Sequence, residues 1–378
     1  MLSSMRVLHV YSGNLFGGIE AMLLTLARQL AACTELDVEV ALCFDRRLAR
    51  ELDATGVRVH QLGETRASRP HTVHRARRAL AALLARERFD RVICHAAWPY
   101  ALFARVVRRA GVPLVFWAHD AFTGKHWTER WARRTAPDLV IANSRYTAAT
   151  LVSVYDKVDM QVAYAPVEAT PPLSSGERDR VRQQFGTPAG AVVVMQACRM
   201  ESWKGHAVLL AALAALRRQP DWTCWLIGGA QRPGEAAYAA SLVELTHRLQ
   251  IADRVRFAGE RTDVPRLLAS ADLLCQPNLT PEPFGIAFVE ALGAGLPVVT
   301  SELGGAMEII DESCGRLVPP GDPAALAAAL EPLIADATLR GRLAAAASDR
   351  ARSLCDPTRQ VRRLHECLAA MAAAPIEA

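Results

Sequence analysis

A short loop in the second half of the chain places an arginine and a lysine five residues apart, Arg199 and Lys204, between an apolar strand and a helix. Arginine offers a bidentate fork and lysine a point charge, so the pair suits a diphosphate and can offset the charge of a departing nucleoside diphosphate. The ordinary alternative is a solvated loop. Lys204 is one of only three lysines in an arginine-rich chain, which favours the binding site.

Two carboxylates follow about eighty residues later, Glu282 and Glu290, separated by seven residues. The intervening Phe284-Gly285-Ile286 begins a predicted helix, so Glu282 belongs to the loop before it and Glu290 to its early turns. The loop carboxylate and the helix-start amides can bind sugar hydroxyls, and Glu290 can accept hydrogen bonds from a ribose diol. Paired carboxylates also serve hydrolases, but that chemistry needs one raised pKa and a carboxyl on each face of the scissile bond.

The first half offers a glycine pair and a histidine. The turn after the first strand runs from Ser12 through Asn14 to Gly17-Gly18 and opens directly into a helix. Bare backbone N–H groups at a helix start attract an anion, although a tight turn explains the glycines equally well. His119 ends another apolar strand. Because open α/β sheets bind ligands at the carboxyl ends of their strands, that position favours a site residue over a core histidine.

Strand-length apolar runs alternate with longer amphipathic segments, which predicts parallel α/β architecture in two domains. The expected boundaries are 1–168 for the first domain, 169–189 for a linker rich in Pro, Ser, Thr and Gly, and 190–355 for the second domain, with a terminal helix over about 356–378. The predicted strands are Val7–Tyr11, Val38–Cys43, Arg91–Cys94, Leu114–Ala118, Leu139–Ala142, Ala191–Gln196, Thr223–Ile227, Arg254–Ala258, Leu273–Gln276 and Pro297–Ser301. The predicted helices include Ile19–Cys33, Arg75–Arg88, His206–Arg218 and Gly285–Ala294.

Taken in order, these motifs resemble the retaining glycosyltransferases of family four, also called glycosyl transferases group 1. The resemblance spans nearly the whole chain and rests on six elements: Gly17-Gly18, His119, Arg199, Lys204-Gly205, Glu282-x7-Glu290 and Gly304-Gly305. It implies the GT-B fold, in which two Rossmann-like doubly wound domains face each other across a cleft and a C-terminal helix returns to the first domain. The first domain is then expected to bind the acceptor and the second the nucleotide sugar.

The resemblance also implies residue roles. The catalytic set is His119, Arg199, Lys204 and Glu282, with the two cations holding the diphosphate and His119 approaching the donor sugar from the first domain. Donor binding falls to Gly17, Gly18, Phe284, Gly285, Ile286 and Glu290, and the acceptor side to Asn14, Gly304 and Gly305. One departure is Ala197-Cys198, where the family usually has a glycine before the arginine, which bears on the geometry of the turn.

The expected reaction moves a sugar from a nucleoside diphosphate sugar, with UDP or GDP as the favoured bases, to an acceptor hydroxyl in polysaccharide, glycolipid or glycoconjugate synthesis. No cofactor is expected, and no metal, because the chain lacks an Asp-x-Asp motif. The acceptor is a saccharide, a lipid-linked glycan or a small molecule. Three alternatives stay open: an epimerase of the same fold, a phosphorylase, for which no lysine stands in an obvious cofactor loop, and an inactive sugar-nucleotide-binding protein.

Composition limits the remaining classes. The chain has 378 residues, 51% hydrophobic and 22% charged, too long for one small binding module and too apolar for a disordered protein. Residues 1–165 carry 23 Lys and Arg against 15 Asp and Glu, and the densest stretch, Arg66–Arg91, suggests a solvated helix face or a peripheral membrane contact. No nucleic-acid motif accompanies this charge. Scattered cysteines and the lack of a leader or spanning segment predict a cytoplasmic protein, at most at the inner membrane face.

Overall fold

The computed structural model of the protein describes residues 4–152, 154–219 and 221–371. The chain divides into two compact units, one comprising the residues up to Pro166 together with those from Cys355 onwards, the other Val167–Leu354. The last part of the predicted terminal helix, residues 372–378, lies outside the described residues.

The first unit contains a parallel sheet of seven strands within the described chain, in the order β3-β2-β1-β4-β5-β6-β7. The strands are β1 Met5–Tyr11, β2 Leu36–Leu42, β3 Arg58–Gln61, β4 Arg91–His95, β5 Leu114–Ala118, β6 Leu139–Ala142 and β7 Met160–Val162. The helices between them are α1 Gly18–Gln29, α2 Arg47–Asp53, α3 Pro70–Arg86, α4 Ala97–Arg109, α5 Trp127–Ala132 and α6 Arg145–Leu151.

Burial explains why these segments form a parallel sheet. Every residue of β5 and of β6 is buried, as expected for strands that helices cover on both faces. The strand order reverses between β1 and β4, and the loops after both strands therefore diverge at the carboxyl edge and leave a crevice there. The glycine turn after β1 and His119 after β5 belong to this edge.

The second unit repeats the design with six strands among the described residues, in the order β10-β9-β8-β11-β12-β13, all parallel. The strands are β8 Val192–Ala197, β9 Trp222–Ile227, β10 Val255–Gly259, β11 Leu273–Gln276, β12 Val298–Ser301 and β13 Gly315–Val318. The helices are α7 Ser175–Gln184, α8 His206–Ala215, α9 Pro233–Arg248, α10 Val264–Leu268, α11 Ile286–Gly293, α12 Ala306–Ile309, α13 Pro323–Ala335 and α14 Ala337–Cys355. Here the order reverses between β8 and β11.

The final helix, α15 (Pro357–Ala369), packs against α1 and so belongs to the first unit. Its apolar stripe is buried, and Asp356 caps it by accepting a hydrogen bond from the backbone of Arg359 at 2.8 Å. The predicted fold class, two Rossmann-like doubly wound α/β units with a C-terminal helix on the first, is confirmed.

The sequence pattern did not predict three of the strands, β3, β7 and β13. β3 and β7 are short and half-exposed, and β13 begins with a buried glycine, so none shows the continuous apolar run that marks the central strands. The segment 169–189, expected as a linker, is not irregular throughout, since it contains α7. A capping box explains this helix: Ser174 accepts from the backbone of Glu177, and the Glu177 carboxylate accepts from the backbone of Ser174 at 3.1 Å.

Helix α7 is tied to the second sheet through one carboxylate. Asp272 accepts hydrogen bonds from Arg178 at 2.6 Å, from Arg182 at 2.5 Å and from the backbone N–H of Val193 at 2.7 Å. The Asp272 side chain is only 14% exposed, so these charge-assisted bonds are shielded from solvent.

We expect Asp272→Ala to lower the free energy of unfolding by about 2–4 kcal/mol, because two guanidinium groups and one backbone N–H lose their acceptor. Urea unfolding of the purified protein measures the loss. Asp349→Ala is the matched control, since Asp349 forms an ion pair with Arg352 but is 77% exposed, and its removal should change stability by less than about 1 kcal/mol. Equal losses in the two variants would contradict this account of the α7 contact.

Candidate active site

The loops after β8 and β11 meet through a lysine and a glutamate. Lys204 Nζ donates to Glu282 Oε1 at 2.8 Å and lies 4.0 Å from the centre of the Trp203 ring. The other oxygen of Glu282 accepts from Gln276 Nε2 at 3.0 Å and from Asn278 Nδ2 at 2.7 Å. Lys204 is 8% exposed and the Glu282 side chain 17% exposed, so the pair is largely shielded from solvent. Three donors thus hold Glu282, and Glu282 in turn holds Lys204.

Arg199 is positioned in the same manner by two carboxylates. Its guanidinium group contacts Glu235 at 3.1 Å and Glu201 at 3.0 Å, and Glu235 itself is 6% exposed. The two cations therefore stand among three carboxylates. Any anion that binds the two cations would compete with these carboxylates, and the backbone N–H groups at the start of α8, behind Gly205, supply additional positive potential.

Two glycines allow these loops to approach each other. Gly205 has φ +76°, and a Cβ there would lie 1.8 Å from the carbonyl oxygen of Pro277 in the loop after β11. Gly228, with φ +145°, would place a Cβ 1.8 Å from the carbonyl oxygen of Cys198. Neither approach tolerates a side chain. The loops after β8, β9 and β11 consequently form one packed edge, on which Arg199 and Lys204 both lie.

The Gly304-Gly305 pair packs against the Glu282 loop. Gly304 forms an isolated parallel bridge with Glu282, and Gly305 N donates to the carbonyl oxygen of Glu282 at 2.8 Å. A Cβ on Gly305 would lie 2.6 Å from Phe284 Cα. Packing against this loop by itself accounts for both glycines, and their assignment to the acceptor side stays a prediction.

The segment from Phe284 to Glu290 begins α11 as expected. Phe284 is buried and Ile286 half-buried, while Gly285 has φ +110°, a conformation that favours glycine. Glu290 lies on α11 and has no hydrogen-bond or ion-pair partner among the residues that the structure describes. Desolvation raises the pKa of Glu290 from its usual 4.5 to about 7. An unpaired, half-buried carboxylate of this kind is ready to accept hydrogen bonds from a diol.

In the first unit, a buried glutamate supports the glycine turn. Glu20, 3% exposed, accepts hydrogen bonds from the backbone N–H of Gly17 at 2.9 Å and from the Tyr11 hydroxyl at 2.8 Å. Gly17 has φ −164°, which any residue adopts, and a Cβ there would approach nothing closer than 3.7 Å. Gly18 and Asn14 are exposed beside it. The local fold does not demand a glycine at position 17, which favours close approach of a ligand.

His119 ends a row of three stacked histidines. Its Nε2 lies 2.9 Å from His95 Nδ1, and His95 Nε2 lies 2.8 Å from His9 Nδ1. Burial lowers the pKa of His119 and of His9 to about 3, and that of His95 well below its usual range, so all three are neutral. Asn143 donates to the carbonyl oxygen of His119 at 3.1 Å.

Sequence reasoning missed the residues that hold the predicted ones: Tyr11, Glu20, His95, Glu235, Gln276 and Asn278. Two signals were available. His95 is the last residue of β4, much as His119 directly follows β5, and Gln276 and Asn278 are polar residues two apart at the end of an apolar strand. Glu235 gives no such signal, because it lies in α9, 36 residues from its partner Arg199. Within the second unit the structure brings Arg199, Lys204 and Glu282 to one edge, and within the first it places His119 and the glycine turn at the corresponding edge.

Two parallel sheets with cations, carboxylates and glycines at their carboxyl edges define an α/β protein of the GT-B class. Family models agree: the model described as "Glycosyl transferases group 1" matches residues 177–350, and the model described as "Glycosyltransferase Family 4" matches residues 16–170. The two matches together take in most of both units. The chain belongs to the group 1 glycosyltransferases, family four.

The chain is similar to named relatives over part of its length and to solved structures over nearly all of it. The chain is 34% identical to a D-inositol 3-phosphate glycosyltransferase of Salinispora tropica over 65% of this chain and 56% of that protein. It is 38% identical to a phosphatidyl-myo-inositol mannosyltransferase of Mycobacterium leprae over 40% of this chain and 39% of that protein. The chain thus spans about half the length of the curated relatives it matches. Anabaena HepE in complex with UDP and glucose has a TM-score of 0.84 at 27% identity, over 97% of this chain and 100% of that one.

The described residues include no helix that has both the length and the apolar character to cross a bilayer. They also include no group of three His, Cys, Asp or Glu side chains arranged to hold a metal ion. All nine cysteines are free thiols, and eight of them are buried.

We expect Glu290→Gln to stabilise the protein at pH 8 by roughly 1–3 kcal/mol and to change little at pH 4. Because the pKa of Glu290 in the folded protein, about 7, exceeds the usual 4.5, the folded state binds the proton more tightly. The stability that the folded protein gains by binding this proton on Glu290 is therefore lost as the pH rises from about 4.5 to about 7. Thermal unfolding at both pH values measures the effect. Glu244→Gln, an exposed glutamate of α9, serves as control, and a Glu290→Gln effect that is the same at both pH values would refute this explanation.

Proposed function

We propose that this protein transfers a sugar from a nucleoside diphosphate sugar to an acceptor hydroxyl, with retention of configuration at the anomeric carbon. The observation that carries the proposal is the largely buried Lys204–Glu282 pair, in the same loop region as Arg199, at the point where the strand order of the second sheet reverses. A similar protein, Anabaena HepE, has been crystallised with UDP and with UDP-glucose, which supports a nucleoside diphosphate sugar as the donor.

Arg199 and Lys204 would bind the diphosphate. Their charges are met by Glu201, Glu235 and Glu282, so ion pairs hold the cations in place. As the bond between the sugar and the diphosphate breaks, negative charge grows on the leaving phosphate, and fixed cations stabilise that charge without reorganisation. This preorganisation would serve in place of a metal ion.

Glu282 and the backbone of residues 284–286 would bind the donor sugar, and Glu290 the ribose. Glu282 already accepts three hydrogen bonds, from Lys204, Gln276 and Asn278, which reduces its strength as a nucleophile. A covalent sugar–enzyme intermediate on Glu282 is therefore disfavoured. We infer that the acceptor attacks from the face that the diphosphate leaves: the new bond forms between the acceptor oxygen and the anomeric carbon, and the hydroxyl proton passes to the departing phosphate oxygen.

His119 would contact the donor sugar, and Gly17 and Gly18 the diphosphate or the acceptor. The exposed, unhindered backbone of Gly17, held by Glu20, supports this assignment. An epimerase of the same fold, or a binding protein without activity, would use the same donor contacts. The unpaired, desolvated Glu290 favours a ligand site over a purely structural loop, because it costs stability that such a loop does not need to lose. Turnover distinguishes the enzyme from the binding protein.

The proposal is tested by incubating the protein with UDP-, GDP- and ADP-sugars in EDTA, with and without saccharide, polyol phosphate and lipid acceptors. We expect transfer from one nucleotide to an acceptor with retention, read by NMR of the anomeric proton. Hydrolysis or isomerisation of the nucleotide sugar without an acceptor would indicate the epimerase. Tight binding without turnover would indicate the inactive protein, and turnover that needs added Mg²⁺ or Mn²⁺ would refute metal independence.

We expect Arg199→Ala and Lys204→Gln each to lower kcat about 10²–10³-fold. Lys204→Gln keeps a donor to Glu282 and removes the charge, and the double variant should fall less than the product of the two. Lys157→Ala, an exposed lysine of the first unit, is the matched control and should retain full activity. A Lys204→Gln enzyme with normal kcat and raised KM for the acceptor alone would contradict the diphosphate assignment.

We further propose that the first unit contacts an anionic membrane surface. α3 and α5 both pack against α4, so their outer faces lie on the same side of the sheet. Arg75, Arg78 and Arg86 are exposed on α3. α5 presents Trp127 and Trp131, 38% and 44% exposed. Tryptophan favours the membrane interface, and one relative is named for phosphatidyl-myo-inositol.

Flotation with liposomes measures this contact. We expect binding to anionic vesicles at low salt, weakened at high salt, because each arginine near the surface contributes about 1 kcal/mol. The double variant Trp127→Ala/Trp131→Ala should bind anionic vesicles more weakly than the wild-type protein at the same salt concentration. Neutral vesicles serve as the control. Absence of co-flotation with anionic vesicles at low salt would mean that the arginines form a solvated face only.

A further inference from the structure

The row of histidines in the first unit has a direction. We infer that the hydrogen bonds run from His9 through His95 to His119, so that His119 carries its only proton on Nδ1 and presents it as a donor. His9 and His95 are then positioning residues that set the tautomer of His119. The direction of the hydrogen bonds does not depend on the proposed function. Only the contact between His119 and a sugar oxygen rests on it.

A neutral imidazole has one N–H donor and one acceptor nitrogen, so the row allows two self-consistent patterns. In the first, His9 Nδ1–H donates to His95 Nε2, and His95 Nδ1–H donates to His119 Nε2, across 2.8 Å and 2.9 Å. In the second, every bond is reversed: His119 Nε2–H donates to His95, and His95 donates to His9. The two patterns differ in whether the outer nitrogen at each end of the row, His9 Nε2 or His119 Nδ1, carries a hydrogen or a lone pair.

The buried end of the row decides between them. His9 is 0% exposed, and its Nε2 is enclosed with no partner among the residues that the structure describes. The first pattern leaves a lone pair there, and the second leaves an N–H group. An enclosed N–H without an acceptor is the rarer and costlier case. Trp117, which stacks on His95 and His119, already has an enclosed, unpaired N–H, so the second pattern would add another orphan donor to this cluster.

The open end of the row lies at the carboxyl edge of the sheet. His119 Nδ1 has no partner among the described residues and, unlike His9 Nε2, is not fully enclosed. With Nε2 occupied by the His95 donor, His119 can give a hydrogen bond through Nδ1 to a sugar oxygen. It cannot take up a proton at Nδ1, which is already protonated. His119 therefore positions substrate as a donor and does not act as a general base, in agreement with proton transfer to the leaving phosphate.

Nitrogen NMR of the full-length protein with ¹⁵N-labelled histidine tests the inference without any substrate, so it is independent of the proposed reaction. Signals are assigned through His9→Asn, His95→Asn and His119→Asn. We expect protonated Nδ1 and bare Nε2 in all three residues at neutral pH. A bare Nδ1 and protonated Nε2 in His119 would overturn the inference, as would a mixture of both forms.

Two substitutions of His95 separate positioning from packing. The amide of His95→Asn places an N–H near the former Nδ1, so the single His119 tautomer and most of kcat should persist. His95→Leu removes the donor, and we expect both tautomers of His119 and a kcat about 10–100-fold lower with little change in the KM of the acceptor. His247→Asn, an exposed histidine of α9, is the control. If His95→Asn and His95→Leu lowered kcat equally and left the tautomer of His119 unchanged, His95 would have a packing role only. If His95→Leu does not fold, the wild-type and His95→Asn spectra still decide the direction.

Discussion

The ion pair between Lys204 and Glu282 is the contact on which the second unit's site depends. It joins the loops after β8 and β11, the two strands between which the order of the sheet reverses. Neighbouring strands whose connections leave in opposite directions open a crevice, and a buried pair across it holds the crevice to one width. Gly205 makes the pair attainable, because any side chain there would collide with the backbone of Pro277.

The same pair shows how the protein keeps a cation at the place where we propose that the diphosphate binds. A buried lysine without a partner loses its proton or destabilises the fold, and a carboxylate partner prevents both. Arg199 follows the same rule with Glu201 and Glu235. Local charge balance thus holds both cations in place. In the proposed function, a diphosphate would exchange places with the carboxylates while the cations stay fixed.

Other groups at these edges are left less satisfied. Glu290 is desolvated without a partner, and three histidines are held neutral in a row whose buried end has an unpaired nitrogen. Each feature costs stability. Glu290 lies on α11, and the row of histidines runs from His9 inside β1 to His119 at the carboxyl edge of the first sheet. Destabilising polar groups concentrated at one edge of a parallel sheet are typical of ligand sites, since the ligand supplies the missing partners.

The amino-acid sequence by itself determined the central strands, the two-unit architecture and the position of Arg199, Lys204 and Glu282 in loops that follow strands. Continuous apolar runs and charged residues at strand ends are local features, readable without knowledge of neighbours. The tertiary structure alone decided the partners. Glu235 reaches Arg199, in the loop after β8, from helix α9. His9 and His95 join His119 only because β1, β4 and β5 are adjacent in the sheet. Strand order and helix packing are set by long-range burial, which leaves no mark in the spacing of residues along the chain.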